Sequence, residues 1–252
     1  MSQAATTPAT PDTPGAGLPV LRTTDLSVTY ANGAVGTDKV SFSVPQGTIA
    51  AILGRNGAGK TSLLRAIAGF LRSEHVAVSG GIEFAGRQVA GASPMKMHRQ
   101  GVVFVPEREK VFPGLKVADH LRLVSSGRGA PEPGLSFEPV DRRMTSRAGM
   151  LSGGERQMLA LTMAVRQSPR LLLVDELSLG LAPVIVKDLM AALRRLTDSS
   201  GVPIVMVEQD AAAALRIADQ AYVMDRGQIV WQGRSAETDA AEISARYLGV
   251  TR

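Results

Sequence analysis

Three short segments of this 252-residue chain carry residues whose types and spacing suit phosphate chemistry. Gly54 to Thr61 reads GRNGAGKT, a Gly-x4-Gly-Lys-Thr pattern in which the backbone N–H groups of a tight turn surround a polyphosphate. In such a loop Gly57 and Gly59 permit close backbone approach, Lys60 brings a point charge to the β- and γ-phosphates, and the Thr61 hydroxyl ligates magnesium. Gly54, Arg55, Asn56, Ala58 and Ser62 complete the nucleotide-contacting stretch, a pattern that marks an NTPase with Mg2+ without saying which kind. Further on, Leu171 to Glu176 (LLLVDE) is an apolar run closing on two acids. Asp175 ends the run where a carboxylate can hold the magnesium shell, and Glu176 is placed to orient and deprotonate an attacking water. Between the two lies Leu151 to Gln157 (LSGGERQ), whose Ser-Gly-Gly turn entering a helix offers another anion site at a helix N-terminus. It is too far along the chain to be part of the first loop.

These groups need elements to position them. Val20 to Tyr30 and Val40 to Val44 cluster β-formers and predict strands, the second stopped by Pro45. Thr48 to Leu53 predicts a short buried strand feeding the phosphate loop, and Lys60 to Leu71 a helix leaving it. Val102 to Val105 predicts a strand ended by Pro106, and a helical reading starts at Ala118. Ser125 to Val140 carries Gly, Pro and Ser breakers, so this lobe is expected to be short and loop-rich. Helices are expected over Gly153 to Gln167 and Val184 to Leu196, and strands over Arg170 to Val174 and Pro203 to Val207. Two strands around Asp225-Arg226-Gly227 and a final helix, Ala240 to Tyr247, complete the reading. Strands alternating with helices imply an α/β fold with a mostly parallel sheet and ligands at the strands' carboxyl ends. Met1 to Leu18, rich in Ala, Thr, Pro and Gly, is expected to be a disordered tail.

Composition removes several functional classes. The chain has no cysteine, which excludes disulfides and thiolate metal sites, and His75, His98 and His120 show no ligand spacing. The only metal expected is the one that rides on the nucleotide. No apolar run reaches the roughly 18 residues of a membrane helix, and no charged leader with an apolar stretch opens the chain. A protein neither secreted nor membrane-spanning by itself is therefore expected. The net charge of +5 comes from dispersed arginines with only 4% aromatics, a solvated surface rather than a nucleic-acid face.

The phosphate loop, LSGGERQ and LLLVDE, in that order, resemble the motifs of an ABC-type ATPase, over Leu21 to Gly249. The resemblance implies a P-loop NTPase with a RecA-like, mostly parallel sheet core, an N-terminal antiparallel β subdomain and a short helical subdomain at about 108–160. The whole of 19–249 would be one ABC ATPase domain. It implies that Tyr30 stacks on adenine, and that Ser152, Gly153, Gly154 and Glu155 cap ATP bound by a second subunit, homologous or identical, arranged head to tail. Hydrolysis would then remove the γ-phosphate from the interface and reopen the pair.

Finer features narrow the resemblance. Pro106-Glu107 stands where most relatives have Pro-Gln, which places Glu107 as a magnesium contact, and Gln209 stands where most have a histidine that senses the γ-phosphate. The segments PE...VFP, SLGLAP, VEQ and Tyr247-Leu248-Gly249 together resemble the LivF-type ATPase of branched-chain amino acid importers. That implies integral-membrane permease subunits as partners, an extracytoplasmic solute-binding protein as an indirect one, and a place on the cytoplasmic face of the membrane. A urea or short-chain amide importer is the alternative within the class, and a soluble ABC ATPase the alternative outside it. Three departures stand out: Leu177 replaces a proline, Met163 replaces an arginine, and Arg108-Glu109 replaces Gly-Arg.

Overall fold

Alternation of buried and exposed residues makes Leu21–Thr29 (β1) one face of a half-covered sheet in the computed structural model, which describes residues 19–249 except 74, 109 and 126–134. The tail expected at 1–18 and the middle of the loop-rich stretch lie outside the described residues. Val35–Val44 (β2) pairs antiparallel with β1 and begins five residues earlier than its apolar cluster suggests. Ile49–Leu53 (β3) is buried at every position, as a central parallel strand requires. Lys60–Ala68 (α1) stops short of the expected Leu71 because Gly69 takes the left-handed conformation (φ 81°), its N–H bonded to the Ala66 and Arg65 carbonyls. A 3-10 turn, Phe70–Ser73, follows.

Ala77–Phe84 (β4) was not foreseen from the sequence. Gly80, at φ 90°, lies where a Cβ would meet the Asp25 carbonyl oxygen at 2.3 Å. The glycine thus permits the register shift that the β1–β4 pairing makes between Thr24 and Ser27. Arg87–Gln88 (β5) completes an antiparallel sheet ordered β2-β1-β4-β5. Pro94–Arg99 (α2), capped by Ser93, leads to Val102–Val105 (β6).

The lobe that follows holds Val117–Ser125 (α3), Glu138–Asp141 (α4) and Gly153–Val165 (α5). Leu171–Asp175 (β7), Pro183–Ser200 (α6), Ile204–Glu208 (β8), Ala211–Leu215 (α7), Gln220–Asp225 (β9) and Gln228–Arg234 (β10) return to the core. The expected last helix is divided into Ala240–Ile243 (α8) and a π-helical turn, Ser244–Leu248. The second sheet runs β10-β9-β3-β8-β7-β6, parallel throughout except for the antiparallel β9–β10 hairpin. One of its faces shares a core with the antiparallel sheet and α1, through Phe42, Ile52, Leu63, Leu173 and Val207. The other packs on the lobe and α6 through Ala51, Val105, Leu159, Val174 and Leu193. Each fully buried aliphatic side chain contributes about 1.5–3 kcal/mol relative to exposure, so these two cores hold the carboxyl ends of β3, β7 and β8 side by side.

Candidate nucleotide site

The carboxyl ends of β3 and β7 open on one cleft of about 440 Å³, lined among others by Tyr30, Asn56, Gly59, Lys60, Thr61, Glu107 and Glu176, while Gln209, after β8, lines the neighbouring groove and reaches the cleft through its bonds to Asn56 and Glu176. That volume lies within the range of about 300–1,000 Å³ usual for small-molecule sites. The turn entering α1 is shaped by backbone. Gly57 and Gly59 sit at φ 80° and 103°, and a Cβ on Gly59 would lie 1.9 Å from the Gly36 carbonyl oxygen. The N-cap of α1 is Gly59, with no side-chain cap and no acidic residue in the first turn. By contrast α2, α5 and α7 are capped by Ser93, Ser152 and Asp210. An uncapped helix N-terminus with glycines before it is suited to an anion.

Lys60 is 4% exposed and its Nζ donates to the Gly54 carbonyl at 2.8 Å and the Arg55 carbonyl at 3.1 Å. It also pairs with Glu176 Oε1 at 3.1 Å. The Thr61 hydroxyl donates to Asp175 Oδ1 at 3.1 Å. Gln209 Nε2 donates to Asn56 Oδ1 at 2.6 Å and to Glu176 Oε2 at 2.8 Å. Lys60, Thr61, Asp175, Glu176 and Gln209, drawn from three separate segments, thus form two adjoining bonded sets, Lys60–Glu176–Gln209 and Thr61–Asp175, joined along the chain. Glu176 sits at φ 43°, a left-handed conformation costly for a side-chain-bearing residue and kept here by its N–H bond to the Val207 carbonyl and by the two partners of its carboxylate.

Burial pushes the Asp175 carboxyl up to about 6; the Thr61 hydrogen bond opposes this, while nearby Glu176 and Glu107 add to it. A buried carboxylate crowded by two others, with a hydroxyl beside it, fits a small divalent cation held through few protein ligands. Glu107 lines the cleft, though its Oε1 accepts from Arg108 Nε at 3.0 Å. Tyr30 stands at the cleft edge with its hydroxyl 2.7 Å from Ser62 Oγ, and a Cβ on Gly36 would meet its ring at 2.9 Å. The ring is therefore tied to the start of α1.

The LSGGERQ residues are absent from the lining of this cleft. Gly153 borders a neighbouring groove of about 400 Å³, and Ser152 is exposed. Ser152 and Glu155 form a capping box: Ser152 Oγ accepts from the Glu155 N–H at 3.2 Å, and Glu155 Oε2 from the Ser152 N–H at 2.7 Å. That backbone bond holds the Glu155 carboxyl below the usual carboxylate range, and Arg143 adds to it. The Glu155 carboxylate is thus spent on its own helix and orients the turn. Gly154 is buried, where a Cβ would meet Ile185 at 2.9 Å.

Residues 37–178 match the family model described as ABC transporter, more than half of the chain. The chain belongs to the ABC transporter family of ATP-binding cassettes. As such a cassette it binds nucleotide and is an ATPase. It is similar to the high-affinity branched-chain amino acid transport ATP-binding protein BraG of Pseudomonas aeruginosa, 35% identical over 82% of this chain and 90% of that protein. The probable branched-chain amino acid transport ATP-binding protein LivF of Archaeoglobus fulgidus is 30% identical over 86% of this chain and 93% of its own length. A nucleotide-free ATP-binding cassette from an ABC transporter superposes with a TM-score of 0.77 at 23% identity, covering 93% of this chain and 100% of that one, a likeness of fold.

Two of the three departures from the family pattern are absorbed in the cassette's packing, whereas Arg108 is exposed and residue 109 lies outside the described residues. Leu177 is 1% exposed in the core, and Met163 packs against the same cluster, so apolar contacts stand where a rigid turn and a charge were expected. Three polar residues gained no role from the sequence. Glu208, Gln157 and Lys110 are buried or half-buried, with Lys110 bonded to Gln157 Oε1 and its ammonium pushed down to about 8 by burial. Glu208 carried the signal that marked Asp175, an acid closing an apolar strand.

Proposed function

We propose that this cassette powers an importer for branched-chain amino acids, working from the cytoplasmic face of the membrane on separate integral-membrane permease subunits. The match to BraG carries this reading, because it spans 90% of that relative rather than a shared core alone. A second cassette would sit head to tail, so that Ser152, Gly153 and Gly154 of one copy cap ATP held by the phosphate loop of the other. Their separation from the cleft of their own chain supports that arrangement. In the bound state Lys60 would face the β- and γ-phosphates, Glu176 would take the proton of the attacking water, and Gln209 would donate to the γ-phosphate. Magnesium would be held by Thr61 and Asp175, with Glu107 at the edge, and would neutralise charge on the phosphate oxygens. Residues 19–249 act as one domain whose lobe, about 108–160, meets the permease. Phe112 and Met150, 63% and 80% exposed, lie on adjoining segments of it, joined by the Gly149 N–H to Pro113 carbonyl bond at 2.9 Å. An apolar patch of this kind suits a membrane partner's helix.

Proteoliposomes containing this chain, its permease pair and a solute-binding protein test the reading: ATP-driven leucine, isoleucine or valine uptake is expected, and Phe112→Ser with Met150→Ser is expected to lower it while sparing nucleotide binding. Uptake of urea or short-chain amides instead, or capture of soluble partners only, would replace it. A related expectation concerns the nucleotide sensor. Gln209→Ala should lose roughly 10²-fold in turnover, the scale for one transition-state hydrogen-bond donor. Gln209→His should retain activity but acquire a pH dependence between about pH 6 and 7.5, around the imidazole reference value. Steady-state rates across that window decide it; a Gln209→Ala variant as fast as wild type makes Gln209 a bystander.

A further inference from the structure

Glu208 closes β8 one residue before Gln209 and is 1% exposed, yet it does not line the phosphate cleft. It borders instead the larger groove of about 710 Å³ between the turn after β7, α6 and α7. Burying a carboxyl is costly unless its oxygens are satisfied, and both are satisfied by one residue. Oε1 accepts from the Ser178 N–H at 3.1 Å, and Oε2 is bonded to the Ser178 hydroxyl. Ser178 comes two residues after Glu176. From the opposite side, Gln157 Nε2 on α5 donates to the Leu177 carbonyl at 3.1 Å. The two residues that follow the strained Glu176 are therefore gripped from β8 and from the helix of the LSGGERQ segment.

We propose that Glu208 is a positioning residue for ATP hydrolysis, acting through Ser178 to fix the turn that aims the Glu176 carboxylate into the cleft. The inference rests on the role given to Glu176 above. Left-handed backbone at Glu176 persists only where its surroundings enforce it, and the Ser178 clamp, together with the Gln157 bond to the Leu177 carbonyl, holds the turn that follows it. Burial pushes the Glu208 carboxyl up to about 7, with the Ser178 bonds opposing. The clamp survives either protonation state, because a carboxyl and a hydroxyl can each donate to the other.

Steady-state MgATP hydrolysis by the full chain, with its permease, tests the assignment. Ser178→Ala and Glu208→Leu are each expected to lower kcat by about ten- to hundredfold, the scale for a displaced catalytic group, with KM and ATP affinity changed less than about twofold. Glu208→Gln should stay within about threefold of wild type, since its amide can accept from the Ser178 N–H and donate to the hydroxyl. The double variant should be no slower than Glu208→Leu alone, because both act on one contact. Ser178→Ala, on a half-buried residue, keeps the test open if Glu208→Leu fails to fold. Wild-type kcat in Ser178→Ala and in any folded Glu208→Leu overturns the assignment, as does a change confined to KM or a Glu208→Gln variant as slow as Glu208→Leu. Those outcomes leave the ATPase reading intact, whereas a wild-type chain without ATP turnover removes both.

Discussion

Lys60→Ala is expected to abolish tight ATP binding, weakening it by at least about a hundredfold, or about 2.7 kcal/mol. Lys60 is the buried cation of the cleft, and its Nζ is already held by two loop carbonyls and Glu176. The ammonium is thus preorganised at the helix N-terminus, where the charge of the β- and γ-phosphates would fall. Removing it takes away that attraction and leaves Glu176, only 8% exposed, facing the incoming polyanion without its counter-charge. Calorimetry with MgATP, on protein whose melting transition shows it folded, measures the effect. Undiminished affinity would sink the phosphate-loop assignment.

Glu176→Gln is expected to slow hydrolysis by about 10²–10⁴-fold, the usual worth of a positioned general base, while ATP still binds. The amide keeps the shape and the contact with Gln209 but cannot take a proton from water, and it releases Lys60 from its ion pair at 3.1 Å. Binding should therefore be spared as turnover collapses, and ATP-bound dimers should accumulate. Single-turnover kinetics and size-exclusion chromatography with ATP read the two halves separately. If only monomer is seen, the capping of one subunit's ATP by Ser152 and Gly153 of the other loses its support.

What could be read beforehand was governed by how local the determinants are. The phosphate loop, the strand ending in Asp175 and the capped helix at Ser152 are specified by neighbours in sequence, and they stand within a residue or two of expectation. The mostly parallel sheet followed from the alternation of buried strands with helices. Strand β4 was hidden because Gly80 is explained only by the backbone of Thr24 and Asp25, on another strand. Glu208 was overlooked for a similar reason: a carboxyl next to Gln209 has no evident task until Ser178 is seen against it. The hydrogen bonds of Glu155 to Ser152 and of Glu107 to Arg108 are likewise ones that a family pattern does not weigh.

The approach of Gly36 to Gly59 bears on how such cassettes can be recombined. A side chain on Gly59 would strike the Gly36 carbonyl oxygen at 1.9 Å, and one on Gly36 would strike Ser62 at 2.8 Å and the Tyr30 ring at 2.9 Å. The first of these obstacles is main chain, which no substitution elsewhere trims away. The start of β2, the phosphate loop and the aromatic edge of the cleft are accordingly inherited as a single interlocked piece. A chimera exchanging the antiparallel sheet between relatives has its safe junctions outside residues 30–62, because a cut within that span would pair surfaces that never fitted each other.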